Sequence, residues 1–174
     1  LYNEFLFSKY KRSAVKPRVS VVITAYNHED YIAESLYSVL NQTYDNFEII
    51  VINDGSSDST GSIIEDIKNQ YPHKIRFINN KKNTRPKIAG NQGIKAAKGE
   101  FIAFNDGDDF WEPTKLEKQI SIFDKDKSCS LGLVYTYGRN LNLNLERKVN
   151  LIWNEDPKKD LIKQLFHGAF FFKI

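Results

Sequence analysis

Short β-branched runs that alternate with stretches of helical period constrain this chain more than any other feature. Val19-Ser20-Val21-Val22-Ile23-Thr24 is brief, apolar and closed by a polar turn, the pattern of a buried strand. Tyr31 to Asn41 then sets Ile32, Leu36, Val39 and Leu40 on one face of a helix. Phe47-Glu48-Ile49-Ile50-Val51-Ile52 reads as a second buried strand. It runs into Asn53-Asp54-Gly55-Ser56-Ser57-Asp58-Ser59, a turn rich in helix-capping residues. Ile63, Ile64, Ile67 and Tyr71 make the next helical face, and Ile75-Arg76-Phe77-Ile78 a short third strand. Ala89 to Ala97 reads as a helix ending at a Gly99 C-cap, and Glu100 to Asn105 as a fourth strand. After Pro113 a further helix turns Leu116, Ile120 and Phe123 inward. Such alternation predicts an α/β domain with a mostly parallel sheet, flanking helices and right-handed crossovers.

Outside this rhythm the pattern loosens. Leu1 to Pro17 mixes Tyr2, Phe5, Leu6, Phe7 and Tyr10 with Lys9, Lys11 and Arg12, which suits an amphipathic helix packed on the domain or a neighbour. A peripheral contact with a membrane surface is the other use of such a segment. Leu133 to Tyr137 and Ala169 to Phe172 are strand-like, with Asn-rich turns around Asn140 to Asn144 and a helix expected over Lys159 to Phe166.

Composition narrows the function classes. The net charge of +3, with no block of Lys or Arg, argues against a nucleic-acid partner. No apolar run approaches the ~20 residues that a transmembrane helix needs. The single Cys129 rules out an internal disulfide and a cysteine metal cluster, which fits a reducing compartment and therefore the cytoplasm. No signal-peptide pattern is present, and the chain starts at Leu1 without any Met, as expected of a processed chain or a piece of a longer one.

The chemistry is expected at the carboxyl ends of the strands, where open parallel sheets bind ligands. Thr24-Ala25-Tyr26-Asn27 follows the first strand, Asp54-Gly55-Ser56 the second, and Asp106-Gly107-Asp108-Asp109 the fourth. Three carboxylates within four residues repel one another and are most easily tolerated around a hard divalent cation such as Mg²⁺ or Mn²⁺. In an extended segment, Asp106 and Asp108 would share a face and Asp109 would point elsewhere. A capping turn in solvent is the plain alternative. Neither a dinucleotide fingerprint nor a P-loop occurs, so any bound phosphates need a metal. Gly90 and Gly93 read as close helix packing, and Asp54 as an acceptor for the imide N–H of a uracil or thymine ring. His28, His73 and His167 read as isolated surface or packing residues, and Trp111 either as a groove wall or, in preference, as a pin holding the aspartate turn on the core.

These segments together resemble the family 2 glycosyltransferases with the GT-A (Rossmann-like) fold. The likeness rests on residues 19–27, on Ser38-Val39-Leu40-Asn41-Gln42-Thr43-Tyr44, and on Phe47 to Ser56. It continues through Ala96-Ala97-Lys98-Gly99-Glu100-Phe101-Ile102-Ala103-Phe104, Asp106 to Trp111, and Pro113-Lys115-Leu116-Glu117. The resemblance implies an inverting transferase that takes a nucleotide-diphosphate sugar, most often a UDP-sugar. Its acceptor would be a glycan or a lipid- or protein-linked glycoconjugate, with Mn²⁺ or Mg²⁺ as cofactor. Thr24, Ala25 and Tyr26 would line the base pocket and Asp54 would contact the base. Asp106 would take the ribose hydroxyls and Asp108 the metal, while Asn83, Arg85 and Asn91 match polar positions of the donor site. Residues 1–17 would be an extension, 18–125 the donor subdomain, and 126–174 the start of an acceptor part truncated on that side.

Departures from the family pattern are Asn105 for an apolar residue, Gly107 for a common alanine, and Arg85-Pro86 where many members carry glycine. The catalytic base is expected beyond Ile174; Glu155 and Asp156 are disfavoured for it. A non-catalytic module binding nucleotide-sugar or glycan on the same fold is the alternative. A nucleotidyltransferase is disfavoured because Thr24 to Asp30 carries no Gly, Lys or Arg.

Overall fold

The computed structural model describes residues 16–128, 131–135 and 170–173. The N-terminal segment up to residue 15, the Asn-rich turns and the helix expected at 159–166 lie outside those residues, as do Glu155 and Asp156. Within them run β1 (Val19–Ala25), α1 (Ile32–Leu40), β2 (Phe47–Asn53), α2 (Thr60–Gln70), β3 (Ile75–Asn79), α3 (Pro86–Ala96), β4 (Phe101–Asp106), α4 (Lys115–Lys125), β5 (Leu133–Tyr135) and β6 (Phe170–Lys173). No helix among the described residues is long and apolar enough to cross a membrane.

The strands form one sheet in the order β3-β2-β1-β4-β6-β5. β1 to β4 are mutually parallel, whereas β6 pairs antiparallel with both β4 and β5. β1 is central, and Val19, Val21, Val22 and Ile23 are fully buried because both faces of the sheet are covered. On one face Val21, Ile23, Ile49, Val51 and Ala103 meet Leu36 and Val39 of α1, Ile64 and Ile67 of α2, and Leu116, Ile120 and Phe123 of α4. On the other face Val22, Ile50, Ile52 and Ile102 meet Ala89 and Ile94 of α3.

Two glycines set how closely elements approach. A Cβ on Gly93 would come within 2.3 Å of Val22 Cγ1, so α3 lies against β1 only because that position is bare. Gly99 does not cap the preceding helix as its position suggests, since the C-cap is Ala97. Its role is contact: a Cβ there would meet the Ser20 backbone nitrogen at 2.6 Å. α3 also begins at Pro86, one turn earlier than its apolar periodicity shows, because a proline at the first position is already set for a helix.

Parallel register brings the strand ends to one rim. Thr24 is paired with Ile52 on one side and Asp106 on the other, and Ala25 with Asn53. The site sits on that rim.

Candidate functional site

The β1–α1 and β2–α2 loops are interlocked before any ligand is considered. Asn27 adopts a left-handed φ of 56°, which Asn tolerates better than most side chains. Its N–H donates to Ser56 Oγ at 2.9 Å and its Oδ1 accepts from the Ser57 amide at 2.9 Å. The Glu29 amide reaches Asp58 Oδ2 at 3.1 Å, and Glu29 Oε2 accepts from the Ser59 amide at 2.9 Å. This reciprocal bonding presents Tyr26 at the rim, where it is 44% exposed.

The aspartate turn is fastened by polar residues of α1 and of the segment that follows it. Ser35 Oγ donates to the Asp106 carbonyl at 3.2 Å and accepts from Asn105 Nδ2 at 3.0 Å. Ser38 Oγ accepts from the Trp111 amide at 3.0 Å, while Gln42 bridges the Glu112 carbonyl and the Leu116 amide. Asn105 therefore has a structural reason to stand where an apolar residue is usual: it is buried and ties the turn together. Trp111 is only 5% exposed and belongs to the core, consistent with a pin rather than a groove wall.

The turn is not extended, and this corrects the spacing inferred from sequence. β4 ends at Asp106, the Asp109 amide donates to the Asp106 carbonyl at 3.0 Å, and the Gly107 amide donates to the Thr24 carbonyl at 2.8 Å. The chain reverses, so Asp109 faces the same cleft as Asp106 and Asp108 instead of pointing away.

That cleft holds about 730 Å³, within the range of small-molecule sites. Thr24, Ala25, Tyr26 and Asp54 line it from the ends of β1 and β2, and Asn83 and Asn91 from the loop and helix beside them. Asp106, at the end of β4, and Asp108, in the turn after it, line it as well. Arg85 is the one sequence-derived site residue not in the wall, although its neighbours Asn83 and Pro86 are. Sequence reading missed His28, Lys87, Phe104 and Asp109, which share the wall. A separate hollow of about 660 Å³, lined by Lys16 and Ala97 to Glu100, lies at the opposite ends of the strands, away from these groups.

Electrostatically the cleft has two halves. Asp54 is 3% exposed, and burial alone would raise its pKa. Hydrogen bonds from Thr84 and Asn80 outweigh that and hold it below the ordinary carboxylate range. Thr84 Oγ1 lies 2.6 Å and Asn80 Nδ2 2.8 Å from Asp54 Oδ1. Asp54 thus remains an ionised acceptor.

Asp106 is the reverse case. Its side chain reaches water within the cleft yet is flanked by protein, so partial desolvation, then the Asp108 charge, push its pKa up. Thr24 Oγ1, donating at 3.2 Å to Asp106 Oδ1, offsets this in part. Asp109 is pushed up by desolvation and then by Asp106 and Asp108.

This half is the place where a divalent cation would be accommodated. The crowded carboxylates gain from a positive charge, and the buried His28 Nδ1 beside them has no hydrogen-bond partner. The described residues do not form a cage of three His, Cys, Asp or Glu ligands. An ion of the Mg²⁺ type needs only one or two carboxylates and would complete its shell with water and substrate phosphates.

Comparison with known proteins agrees with this architecture. The family described as Glycosyl transferase family 2 matches residues 20–173. An uncharacterized glycosyltransferase of Haemophilus influenzae is 37% identical over 153 residues, covering 87% of this chain and 46% of that protein. EpsH of Bacillus subtilis is 34% identical over 152 residues, covering 87% and 44%. This chain therefore spans a little under half the length of those relatives. TarS from S. aureus, in complex with UDP-GlcNAc, matches with a TM-score of 0.57 and 32% identity over 62% of this chain and 31% of its own. A mannosyltransferase from Pyrobaculum calidifontis, solved with GDP-Man and Mn²⁺, matches 99% of this chain and 51% of its own. Its TM-score is 0.67 at 20% identity, a likeness of fold. The sheet, the rim and these matches make this chain a GT-A-fold member of glycosyl transferase family 2.

Proposed function

We propose that this chain binds a nucleotide-diphosphate sugar, in the first instance a UDP-sugar, with Mn²⁺ or Mg²⁺, as the donor half of an inverting glycosyltransferase. The observation that supports this most is the shared cleft, which gathers Asp54 from the end of β2 with Asp106 and Asp108 from the end of β4 and the turn after it. Residues 18–125 form the donor subdomain in this reading, and 126–174 begin the acceptor side. Its acceptor is a glycan or a lipid- or protein-linked glycoconjugate, and its place is the cytoplasm, at the inner face of the membrane when the acceptor is there.

Asp54 accepts the N–H of the base, a role suited to a carboxylate held ionised. The backbone at Ala25 and the ring of Tyr26 flank the base, with Thr24 beside the ribose. Asp106 takes the ribose hydroxyls, and Asp108 holds the cation. A cation held there by Asp108 would offset the negative charge that develops on the leaving diphosphate. Asn83, Asn91 and Arg85 supply polar contacts from the α3 side. Ser35 and Asn105 keep the aspartate turn fixed, so the donor is held in one orientation for in-line attack, which itself lowers the barrier. The acceptor hydroxyl gives its proton to a carboxylate base; no described residue is assigned that part.

Calorimetry with UDP and Mn²⁺ tests the reading. Asp108→Ala is expected to weaken Mn²⁺-dependent UDP binding on the order of tenfold or more, a loss of about 1.4 kcal/mol or more. UDP binding indifferent to both Mn²⁺ and the substitution would sink the proposal. Tight donor binding without any transfer to acceptors by the full-length protein would favour the non-catalytic alternative.

A further inference from the structure

We infer that His28 is a positioning residue for Asp108, orienting the carboxylate that holds the cation; the inference rests on the donor-site reading above. The backbone of His28 is fixed from both sides. Its amide donates to Thr60 Oγ1 at 2.8 Å, and its carbonyl accepts from the amides of Tyr31 at 3.0 Å and Ile32 at 2.8 Å, where α1 starts. The ring stands in the cleft wall with Nδ1 buried and unpartnered. Asp108 Oδ1 lies 4.0 Å from that nitrogen, too far for a hydrogen bond but close enough for a small carboxylate rotation to close the gap. The Asp108 side chain is 52% exposed and has room to make that turn.

Gly107 explains why the ring can sit there. A Cβ at position 107 would lie 2.8 Å from His28 Nδ1 and 2.9 Å from Ala25 Cβ. The bare glycine leaves a seat for the imidazole directly over the aspartate turn. His28 also faces Asp106 and Asp109 across the turn, but Asp108 is the carboxylate that lies within 4.0 Å of Nδ1, and Asp106 already accepts from Thr24. With Nδ1–H donating to one oxygen, the other oxygen is aimed into the cleft. Outer partners of this kind typically set metal affinity by about 10–100-fold.

The test is an Mn²⁺ titration in the presence of UDP, followed by the electron paramagnetic resonance of free Mn²⁺, with UDP binding in metal-free buffer and thermal unfolding measured alongside. His28→Ala is expected to weaken Mn²⁺ about 10–100-fold while metal-free UDP binding stays put. His28→Asn, whose amide N–H falls near the position of Nδ1, is expected to restore most of the loss. Unchanged Mn²⁺ affinity in His28→Ala, or equal loss in the Ala and Asn variants, would overturn the positioning role. A directly coordinated imidazole nitrogen in the Mn²⁺ spin-echo spectrum would overturn it too. Wild-type protein that takes up no Mn²⁺ with UDP would instead bring down the donor-site reading, and this inference with it.

Discussion

Arg85 holds the most costly backbone at the rim of the cleft. Its φ of 77° and ψ of 151° fall in a region that only glycine enters freely, and Pro86 follows immediately. Local bonds hold it there: the Arg85 amide donates to Asn83 Oδ1 at 2.8 Å, and the Thr84 amide is gripped by Asp54. Arg85→Gly is expected to be more stable than Arg85→Ala by on the order of 1 kcal/mol, since both lose the side chain but only glycine sheds the strain. Urea denaturation of the two variants checks this, and a more stable alanine variant would contradict it. The strain was invisible in sequence because a tertiary clamp imposes it. The aspartates were legible, because charge crowded at a strand end is a signal that sequence carries. His28 was not, because a lone histidine has no spacing to betray what it faces.

At the level of elements, strand and helix positions followed from periodicity, and the misses came where packing sets the boundary. The first turn of α3 borders the cleft rather than the core, so no apolar period marks it. The start of α4 hides a different cost. Lys115 is 8% exposed, with Nζ 2.7 Å from Gln119 Oε1 and 4.2 Å from the centre of the Trp111 ring. Gln119 Nε2 in turn donates to the Val134 carbonyl of β5 at 3.2 Å. Burial pulls the Lys115 pKa down to about 7. Above that pH the folded protein has released a proton that the unfolded chain keeps until about pH 10, so stability rises with pH through that window. Lys115→Met is expected to flatten this rise, by on the order of 1–3 kcal/mol between pH 6.5 and 9.5. Urea unfolding at both pH values measures it; parallel curves for the two proteins would refute it.

Across the whole molecule, the parallel core from β1 to β4 was readable, but the insertion of β6 between β4 and β5 was not. Periodicity identifies strands without giving their order. The raised carboxyls of Asp106 and Asp109 also act globally. Their folded pKa values exceed the unfolded ones, so the metal-free protein loses stability as pH rises through the carboxylate range. A bound cation should reverse that penalty. The Mn²⁺–UDP complex, taken as one ligand at ~100 times its dissociation constant, is expected to add about 2.7 kcal/mol. For a domain of this size that raises Tm by roughly 5–10 °C. Differential scanning fluorimetry reads the shift, and no gain over either ligand alone would count against a joint site.

The place of β6 has a consequence for how the protein is born. Phe101, Ile102 and Ala103 find their outer partners only in Lys173, Phe172 and Phe171, far later in translation. At roughly 5–20 residues per second, a nascent chain keeps that apolar edge unzipped for several seconds after β4 has left the ribosome. Such an open ribbon invites pairing with other chains, so β6 serves as a clasp that closes this edge once it arrives.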